Sequence, residues 1–176
     1  MTKSLNTFHQ ALSEAKELLS CYDTLNGHDE IIPPDALKKA SLIMALTAWE
    51  TYVEDVVTEL FNIKFSLVKG STLGNFAEKQ LTERLKQFHN PDSRKTKHLF
   101  EEFFGVDITE SWEWNNVFPK DARTQLNKWI SIRGDAVHRV EVDVNQPQVI
   151  RKEELAKCIR FIEELAKSTD KAVEEL

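Results

Sequence analysis

The sequence predicts an all-α protein, an up-and-down bundle of about five to six helices in one domain over residues 1–176. Apolar residues recur at three- and four-residue spacing along most of the chain, which is the period of an amphipathic helix. Residues that start or stop helices separate these segments. There is no internal repeat and no low-complexity linker, and 41% hydrophobic against 30% charged residues is ordinary for a globular protein. One shared hydrophobic core is therefore expected.

The first three helices are predicted from their apolar stripes and their boundaries. A first amphipathic helix ends before residues 26–27, an Asn-Gly pair that favours a turn. The second helix is long, begins at residues 33–35 (Pro-Pro-Asp) and is expected to stop near Gly70. Asn75 is the predicted N-cap of a third helix, which should run to about Phe88.

The fourth helix is predicted to follow a break at residues 90–93 (Asn-Pro-Asp-Ser). It should end at Gly105, because a glycine just past the last apolar residue is the commonest C-cap. Residues 106–117 are expected to be irregular. Trp112 and Trp114 are interpreted as anchors of this connection, which is a commoner use of such residues than stacking on bases.

Two further helices complete the predicted bundle. Pro119 should start the fifth helix. Residues 140–146 alternate apolar and polar side chains, but we assign them to a loop that ends at Pro147 rather than to a strand. Apolar residues at helical spacing over residues 155–166 predict a sixth helix that extends towards the C-terminus.

The cysteines and the N-terminal residues favour a cytoplasmic protein. Cys21 and Cys158 occupy helix-face positions and form no metal-like cluster, so both are interpreted as reduced core residues. The first residues lack the hydrophobic core of a signal peptide. No apolar run approaches the length of a spanning helix, so no contact with a membrane is expected.

The fifth helix carries a cation on its apolar stripe. Ala122, Leu126, Trp129, Arg133 and Val137 follow one another at the spacing of a single buried helix face. A guanidinium stays protonated and is rarely buried without a partner, because an unmatched buried charge is very costly. Arg133 should therefore face an anion, a partner chain or a water-filled cleft.

His138 follows Arg133 after four intervening residues, which gives the pattern R-x4-H. Histidine can both accept and donate a proton near neutral pH. Five residues of a regular helix turn through about 140°, so the two positions would not share one face. Either the helix ends or bends near Gly134, or the pair meets across the two-fold axis of a dimer.

These residues, together with two other segments in the same order, resemble the HEPN nucleases. The segments are residues 45–55 (ALTAWETYVED), residues 88–106, which begin FHNPD, and residues 129–138 (WISIRGDAVH). The chain is similar to the RiboL-PSP-HEPN branch. The resemblance implies an all-helical domain that dimerises and cleaves RNA without a metal. Gly134 stands where the family usually has a polar residue, and Val140 replaces a tyrosine used in silencing some relatives.

RNA cleavage requires a base for the 2′-hydroxyl proton, an acid for the leaving 5′-oxygen and a cation for the phosphoryl oxygens. Arg133 and His138 are the main catalytic candidates, and two histidines in a composite dimer site could divide the acid and base roles. Glu50, on the second helix, either orients one of them or is the ordinary partner of a structural arginine. Asp135 either orients an imidazole or faces solvent. Removing Arg133 should leave stability unchanged or raised at a phosphate site, and lower it if the arginine is structural.

The net charge of −6 argues against a protein that coats nucleic acid generally, but the cations are clustered. They concentrate between residues 84 and 98 and between residues 120 and 139, which fits contact with a few phosphates; solvated helix faces are the alternative. The candidate RNA-binding residues are Lys128, Arg139, Arg94, Lys97 and His98.

Neither a cofactor nor a metal is expected, because the sequence has no glycine-rich phosphate loop and no zinc-like spacing of Cys and His. His9, His28 and His89 are interpreted as surface histidines.

The sequence thus favours a metal-independent endoribonuclease that works as a homodimer on RNA, in bacterial defence, stress or a toxin–antitoxin setting. An antitoxin or an associated defence protein is a possible further partner. The alternative is a catalytically silent HEPN dimer that binds RNA or protein, and Gly134 directly after the arginine favours it.

Overall fold

The computed structural model describes residues 1–27, 33–138 and 150–176, with the backbone alone for His138. Within these ranges it contains six α-helices, two short 3₁₀ turns at Ser66–Val68 and Ile108–Ser111, and no strand beyond an isolated bridge between Trp114 and Val117. The helices are α1 (Lys3–Asn26), α2 (Asp35–Lys64), α3 (Thr72–Leu85), α4 (Ser93–Phe104), α5 (Pro119–His138) and α6 (Lys152–Glu174). The predicted all-α class is confirmed, and the six helices agree with the expected five to six.

Helix α2 lies at the centre of the bundle. It packs along α1 and also contacts α4, α5 and α6. Because neighbours surround it, its apolar residues are buried on several sides, including Trp49, Tyr52 and Val53. Trp49 is fully buried and meets Trp112 edge to face, with 6.0 Å between the ring centroids. The core therefore extends from α2 into the connection between α4 and α5.

Several helix ends lie where local signals place them. Gly105 adopts φ +69° and its N–H donates to the carbonyl of Glu101, so it is the C-cap of α4 as predicted. Helix α5 begins at Pro119. The prediction for Asn75 is wrong: the hydroxyl of Ser71 accepts a hydrogen bond from the Gly74 N–H at 3.0 Å and caps α3.

Helix α2 also ends earlier than predicted, at Lys64 rather than near Gly70. The aromatic rings of Phe61 and Phe65 stack with 4.3 Å between centroids, and the Val68 N–H then donates to the carbonyl of Phe65. This short-range hydrogen bond tightens the chain into a 3₁₀ turn, which leaves Ser71 free to start the next helix.

Trp112 anchors the connection between α4 and α5, as predicted. Its side chain is fully buried, and its Nε1–H donates to the hydroxyl of Thr169 on α6 at 2.9 Å. Trp114 packs against Phe161, with 5.6 Å between centroids. Both tryptophans thus tie the irregular segment to α6.

The two cysteines differ in environment. Cys158 on α6 is buried, and burial raises the pKa of its thiol. Cys21 is exposed, so its assignment to the core is wrong: it lies on a side of α1 that the described part of the bundle leaves open to solvent. Both thiols are free.

None of the described helices combines the length with the apolar character that crossing a membrane requires.

Candidate active site around Arg133

The apolar face of helix α5 is buried in its first turns and is more exposed to solvent in its last turn. Ala122 and Leu126 are fully buried and Trp129 is 7% exposed. The helix continues through Gly134 to His138, so it does not end at the glycine. Val137 is 54% exposed, which contradicts its place on the buried stripe; Ala136 takes the covered position instead. The face of α5 towards the bundle therefore shifts by one residue at its end.

Arg133 is held by three side chains from other elements. Its Nη1 donates to Glu50 Oε2 at 2.9 Å and to Asn90 Oδ1 at 2.6 Å, and its Nη2 donates to Thr47 Oγ1 at 3.1 Å. The side chains of Arg133 and Glu50 are only 15% and 17% exposed. Glu50 is thus the anion that the position of Arg133 on an apolar stripe requires.

The turn between α3 and α4 brings Asn90 to the arginine. Asn90 adopts a left-handed backbone with φ 51°, a conformation that asparagine tolerates better than most residues. Its N–H donates to Glu50 Oε2 at 3.3 Å. The carbonyl of Pro91 accepts a hydrogen bond from Trp49 Nε1 at 3.2 Å. Adjacent residues of α2 therefore fix both the turn and the arginine.

His89 lies on the other side of the same carboxylate. Its Nδ1 is 3.7 Å from Glu50 Oε1, and its side chain is 73% exposed. We call the group Thr47, Glu50, His89, Asn90 and Arg133 the Arg133 cluster. His89 is a surface residue, as interpreted from the sequence, but it is also a member of this cluster.

Glu54 adds a second carboxyl group one turn along α2. Burial raises the pKa of Glu54, the negative charges of Glu50 and Asp55 raise it further, and His89 acts in the opposite direction. Glu54 thus interacts electrostatically with Glu50 and His89 of the Arg133 cluster. Glu50 and Glu54 together give α2 an acidic face at this cluster.

Comparison with protein-family models identifies the family. A model described as RiboL-PSP-HEPN matches residues 10–175. The chain belongs to the RiboL-PSP-HEPN family. The match extends from α1 to α6 and confirms the resemblance inferred from the three sequence segments. HEPN domains are nuclease or RNA-related modules. Neither the curated proteins nor the solved structures contain a match to the chain.

The other two catalytic candidates of this RiboL-PSP-HEPN chain, Asp135 and His138, follow Arg133 on α5. Asp135 is exposed on α5, two residues beyond Arg133, whereas the hydrogen-bond partners of the arginine come from α2 and the α3–α4 turn. His138 is the last residue of α5, and its side chain lies outside the described residues. Arg139, Val140 and the predicted loop that contains them also lie outside the described ranges, as does His28.

The candidate RNA-binding residues of α4 and α5 separate into distinct environments. Arg94 and His98 are exposed on α4 and line a cavity of about 370 Å³. Lys97 instead pairs with Asp107 at 2.6 Å and with Glu101 at 3.4 Å, and the pairing with Asp107 raises the pKa of its ammonium. Lys97 is therefore occupied by two carboxylates and does not line this cavity, whereas Arg94 does.

The same cavity adjoins the Arg133 cluster. Lys95 also lines it, and the Lys95 ammonium donates to the backbone carbonyl of His89. Lys128 lies on α5, with its ammonium 5.4 Å from the centre of the Trp129 ring. Arg94 and His98 are thus the predicted RNA-binding residues that line one cavity together with Lys95, which contacts the backbone of His89.

Sequence reasoning missed Thr47, His89 and Asn90. Thr47 precedes Glu50 by three residues on α2, which places both on one helix face. His89 and Asn90 belong to the FHNPD segment that carried the family resemblance, and this was the available signal. Within the described ranges, no group of three or more His, Cys, Asp or Glu side chains could hold a metal ion.

Proposed function

We propose that this RiboL-PSP-HEPN protein is a metal-independent endoribonuclease whose guanidinium at Arg133 binds the scissile phosphate. The observation that carries the proposal is the Arg133 cluster itself, in which a mostly buried arginine is oriented from two directions, five residues before His138. Orienting a guanidinium in this way is what electrostatic stabilisation of a phosphoryl transition state requires.

Some N–H groups of Arg133 are not used in its contacts with Glu50, Asn90 and Thr47. A guanidinium has five N–H groups in a planar fork. In the described part of the chain, two N–H groups of Nη1 and one of Nη2 have hydrogen-bond partners. The Nε–H and the second N–H of Nη2 remain for a phosphate. Glu50 is therefore proposed to orient the arginine towards its ligand, as a carboxylate orients a histidine in many sites.

The proposed reaction needs no external nucleophile. His138 accepts the proton of the 2′-hydroxyl, the 2′-oxygen attacks the adjacent phosphorus, and the bond to the 5′-oxygen breaks as that oxygen is protonated. The products carry a 2′,3′-cyclic phosphate and a 5′-hydroxyl. Asp135 is a candidate for orienting an imidazole.

RNA binding beyond the scissile phosphate is proposed for five cationic or polar residues. Arg94 and His98 are favoured by their position in the cavity beside the cluster. The other three are Lys128, Arg139 and Lys97.

Cleavage of labelled RNA by the purified protein in EDTA is the expected result. The RNA products should carry 2′,3′-cyclic phosphate and 5′-hydroxyl ends. Treatment with an end-specific phosphatase and with a kinase identifies these ends. A substrate with a single 2′-deoxy nucleotide at the cleaved position should resist, because it lacks the nucleophile. Products with 3′-hydroxyl and 5′-phosphate ends, or a requirement for magnesium, would contradict the role given to His138.

The protein is also proposed to act as a homodimer in which α5 lies near the two-fold axis. Val137, apolar and 54% exposed, and Gly134, beside which there is open space, suit close packing between two copies of α5. Ala136, which the sequence also suggested for this contact, is buried against its own bundle instead. A defence or toxin–antitoxin setting and an antitoxin partner are proposals that rest on the family. A cytoplasmic location is a proposal that rests on the two free cysteines.

Light scattering at tens of micromolar should give twice the 20.3 kDa mass of one chain. Val137→Asp should shift the protein to the monomer, because it places a charge in the proposed interface. Leu73→Asp, at another exposed apolar side chain (66% exposed, on α3), is the matched control and should leave the dimer intact. A monomeric wild-type protein would remove the basis for a composite site.

A catalytically silent HEPN module is the second candidate. The ion pair between Arg133 and Glu50 is also what a structural arginine would make, and Gly134 departs from the family pattern. RNA that is bound but left intact by the wild-type dimer would favour this function over cleavage.

A further inference from the structure

The cavity of about 370 Å³ lies between the end of α3 and one face of α4. Its residues on α4 recur at the spacing of a single helix face; they are Arg94, Lys95, His98, Leu99 and Glu102. The last turn of α3 and the residues that follow it supply the rest of the lining, which is Arg84, Gln87 and Phe88. Pockets for small ligands span about 300–1,000 Å³, so this cavity has room for one small ligand.

The charged residues of the cavity leave it with a positive charge, although the whole chain carries a net charge of −6. Arg84 and Glu102 neutralise each other, so Arg94 and Lys95 are the charges in excess. The described part of the chain gives Arg94 neither an ion pair nor a hydrogen bond. Lys95 donates to a backbone carbonyl, and an ammonium has two further N–H groups. These two cations therefore favour an anionic ligand.

The rest of the lining is selective for what the anion carries. Arg84 donates through Nε and Nη2 to the two oxygens of Glu102 at 2.8 and 3.0 Å, which fixes a donor and an acceptor side by side. Phe88 and Leu99, only 4% and 2% exposed, add apolar surface. A fatty acid would leave the polar pair without a partner, and a bare phosphate would leave the apolar surface uncovered.

A nucleotide matches all three features of the lining. Its phosphate suits the cations, the flat face of its base suits an apolar and aromatic surface, and the edge of the base has both donors and acceptors. We propose that this cavity binds one nucleotide of an RNA strand, with the phosphate at Arg94 and Lys95 and the base against Phe88 and Leu99. The inference rests on the RNA binding proposed above, but not on cleavage.

Lys95 connects the cavity with the candidate active site. Its ammonium donates to the backbone carbonyl of His89, in the turn that carries Asn90 to Arg133. A strand that is held at Lys95 is therefore held next to this turn. The cavity thus positions RNA by contacts that take no part in the chemistry.

The phosphate contact is tested with a fluorescent 2′-O-methyl oligoribonucleotide, whose binding is measured by anisotropy over a range of salt concentrations. This strand has no free 2′-hydroxyl, so it stays intact whether or not the protein cleaves RNA. Arg94→Gln should weaken binding and reduce the slope of log Kd against log salt concentration by about 0.7, the value for one phosphate of a single strand. Arg160→Gln, at an exposed arginine of α6 outside the cavity, is the matched control and should keep the wild-type slope.

The base contact is tested with adenosine 5′-monophosphate, ribose 5-phosphate and inorganic phosphate. Each is titrated while the ring-proton resonances of His98, which lines the cavity, are followed by NMR and identified by their loss in His98→Gln. The nucleotide should bind about 5-fold more tightly than ribose 5-phosphate or better, since one base stacked on an aromatic ring contributes at least this much.

An unchanged salt slope in Arg94→Gln, or an equal reduction in Arg160→Gln, would overturn the phosphate contact. Equal affinities for adenosine 5′-monophosphate and ribose 5-phosphate would overturn the base contact. A wild-type protein that binds the free nucleotide at His98 but not the oligonucleotide would overturn the assignment to an RNA strand. The expected loss in Arg94→Gln, in a protein that leaves unmodified RNA intact, would support the cavity and contradict the proposed cleavage.

Discussion

Replacing Arg133 with lysine is expected to lower the rate of RNA cleavage by about 10²- to 10³-fold while the protein stays folded. Lysine keeps a positive charge near Glu50, but a single ammonium cannot hold Glu50, Asn90 and Thr47 and still present a planar pair of donors to phosphate. Single-turnover cleavage of a labelled oligonucleotide measures the loss, and thermal unfolding measures the stability. Full activity of this variant would contradict phosphate binding by the guanidinium.

Arg133→Ala should behave differently in stability. It leaves the carboxylate of Glu50, only 17% exposed, without its cation, and we expect a loss of about 1–3 kcal/mol. The sequence alone favoured an unchanged or raised stability at a phosphate site, and the ion pair with Glu50 changes that expectation.

The double variant with Arg133→Gln and Glu50→Gln is the matched control for this effect. It removes both charges together and should recover part of the stability lost in Arg133→Ala, because no carboxylate is left unpaired. It should remain inactive. The double variant would then show that the loss of stability and the loss of activity have different causes.

Replacing His138 with alanine should lower cleavage by about 10²- to 10⁴-fold, since the 2′-hydroxyl loses its base. The more informative experiment mixes this chain with an Arg133→Lys chain in one dimer, purified through two different tags. If the arginine of one protomer works with the histidine of the other, one intact composite site remains. The mixed dimer should then cleave weakly, above either variant homodimer.

Inactivity of the mixed dimer would instead indicate that each protomer combines its own Arg133 and His138, or that both copies of one residue are needed. A mixed dimer of two chains that both carry His138→Ala, with different tags, controls for the purification. The same preparation, analysed by light scattering, verifies that the species tested is a dimer.

Local signals predicted most of the fold because they act over a few residues. Pro119 and Gly105 mark helix ends through their own backbone geometry, and the structure has both. Asn75 failed because Ser71, four residues earlier, is an equally good cap and is the one whose hydroxyl accepts from the Gly74 N–H. Cys21 and Val137 failed because a periodic stripe predicts which residues share a face but not how far a neighbouring helix covers it.

The candidate site was predicted only in part, and the reason is distance along the chain. Arg133 and Glu50 could be named because each breaks an apolar pattern on its own helix. Their contact joins residues 83 positions apart, and the contact of Arg133 with Asn90 joins residues 43 apart. Asn90 and His89 enter through a left-handed turn whose position depends on the packing of α4 against α2. Periodicity carries no information about such contacts.

Trp49 and Glu50 are neighbours on α2, but the side chain of Trp49 contacts the core whereas that of Glu50 binds Arg133. The packing of the core is therefore connected to the geometry of the candidate site. Trp49 holds Pro91 and packs on Trp112, which is itself bonded to Thr169 on the last helix. Any substitution that moves the indole of Trp49 also moves the turn that aligns the guanidinium. Residues on the last helix thereby contribute to the alignment of Arg133 as well as to the packing of the core.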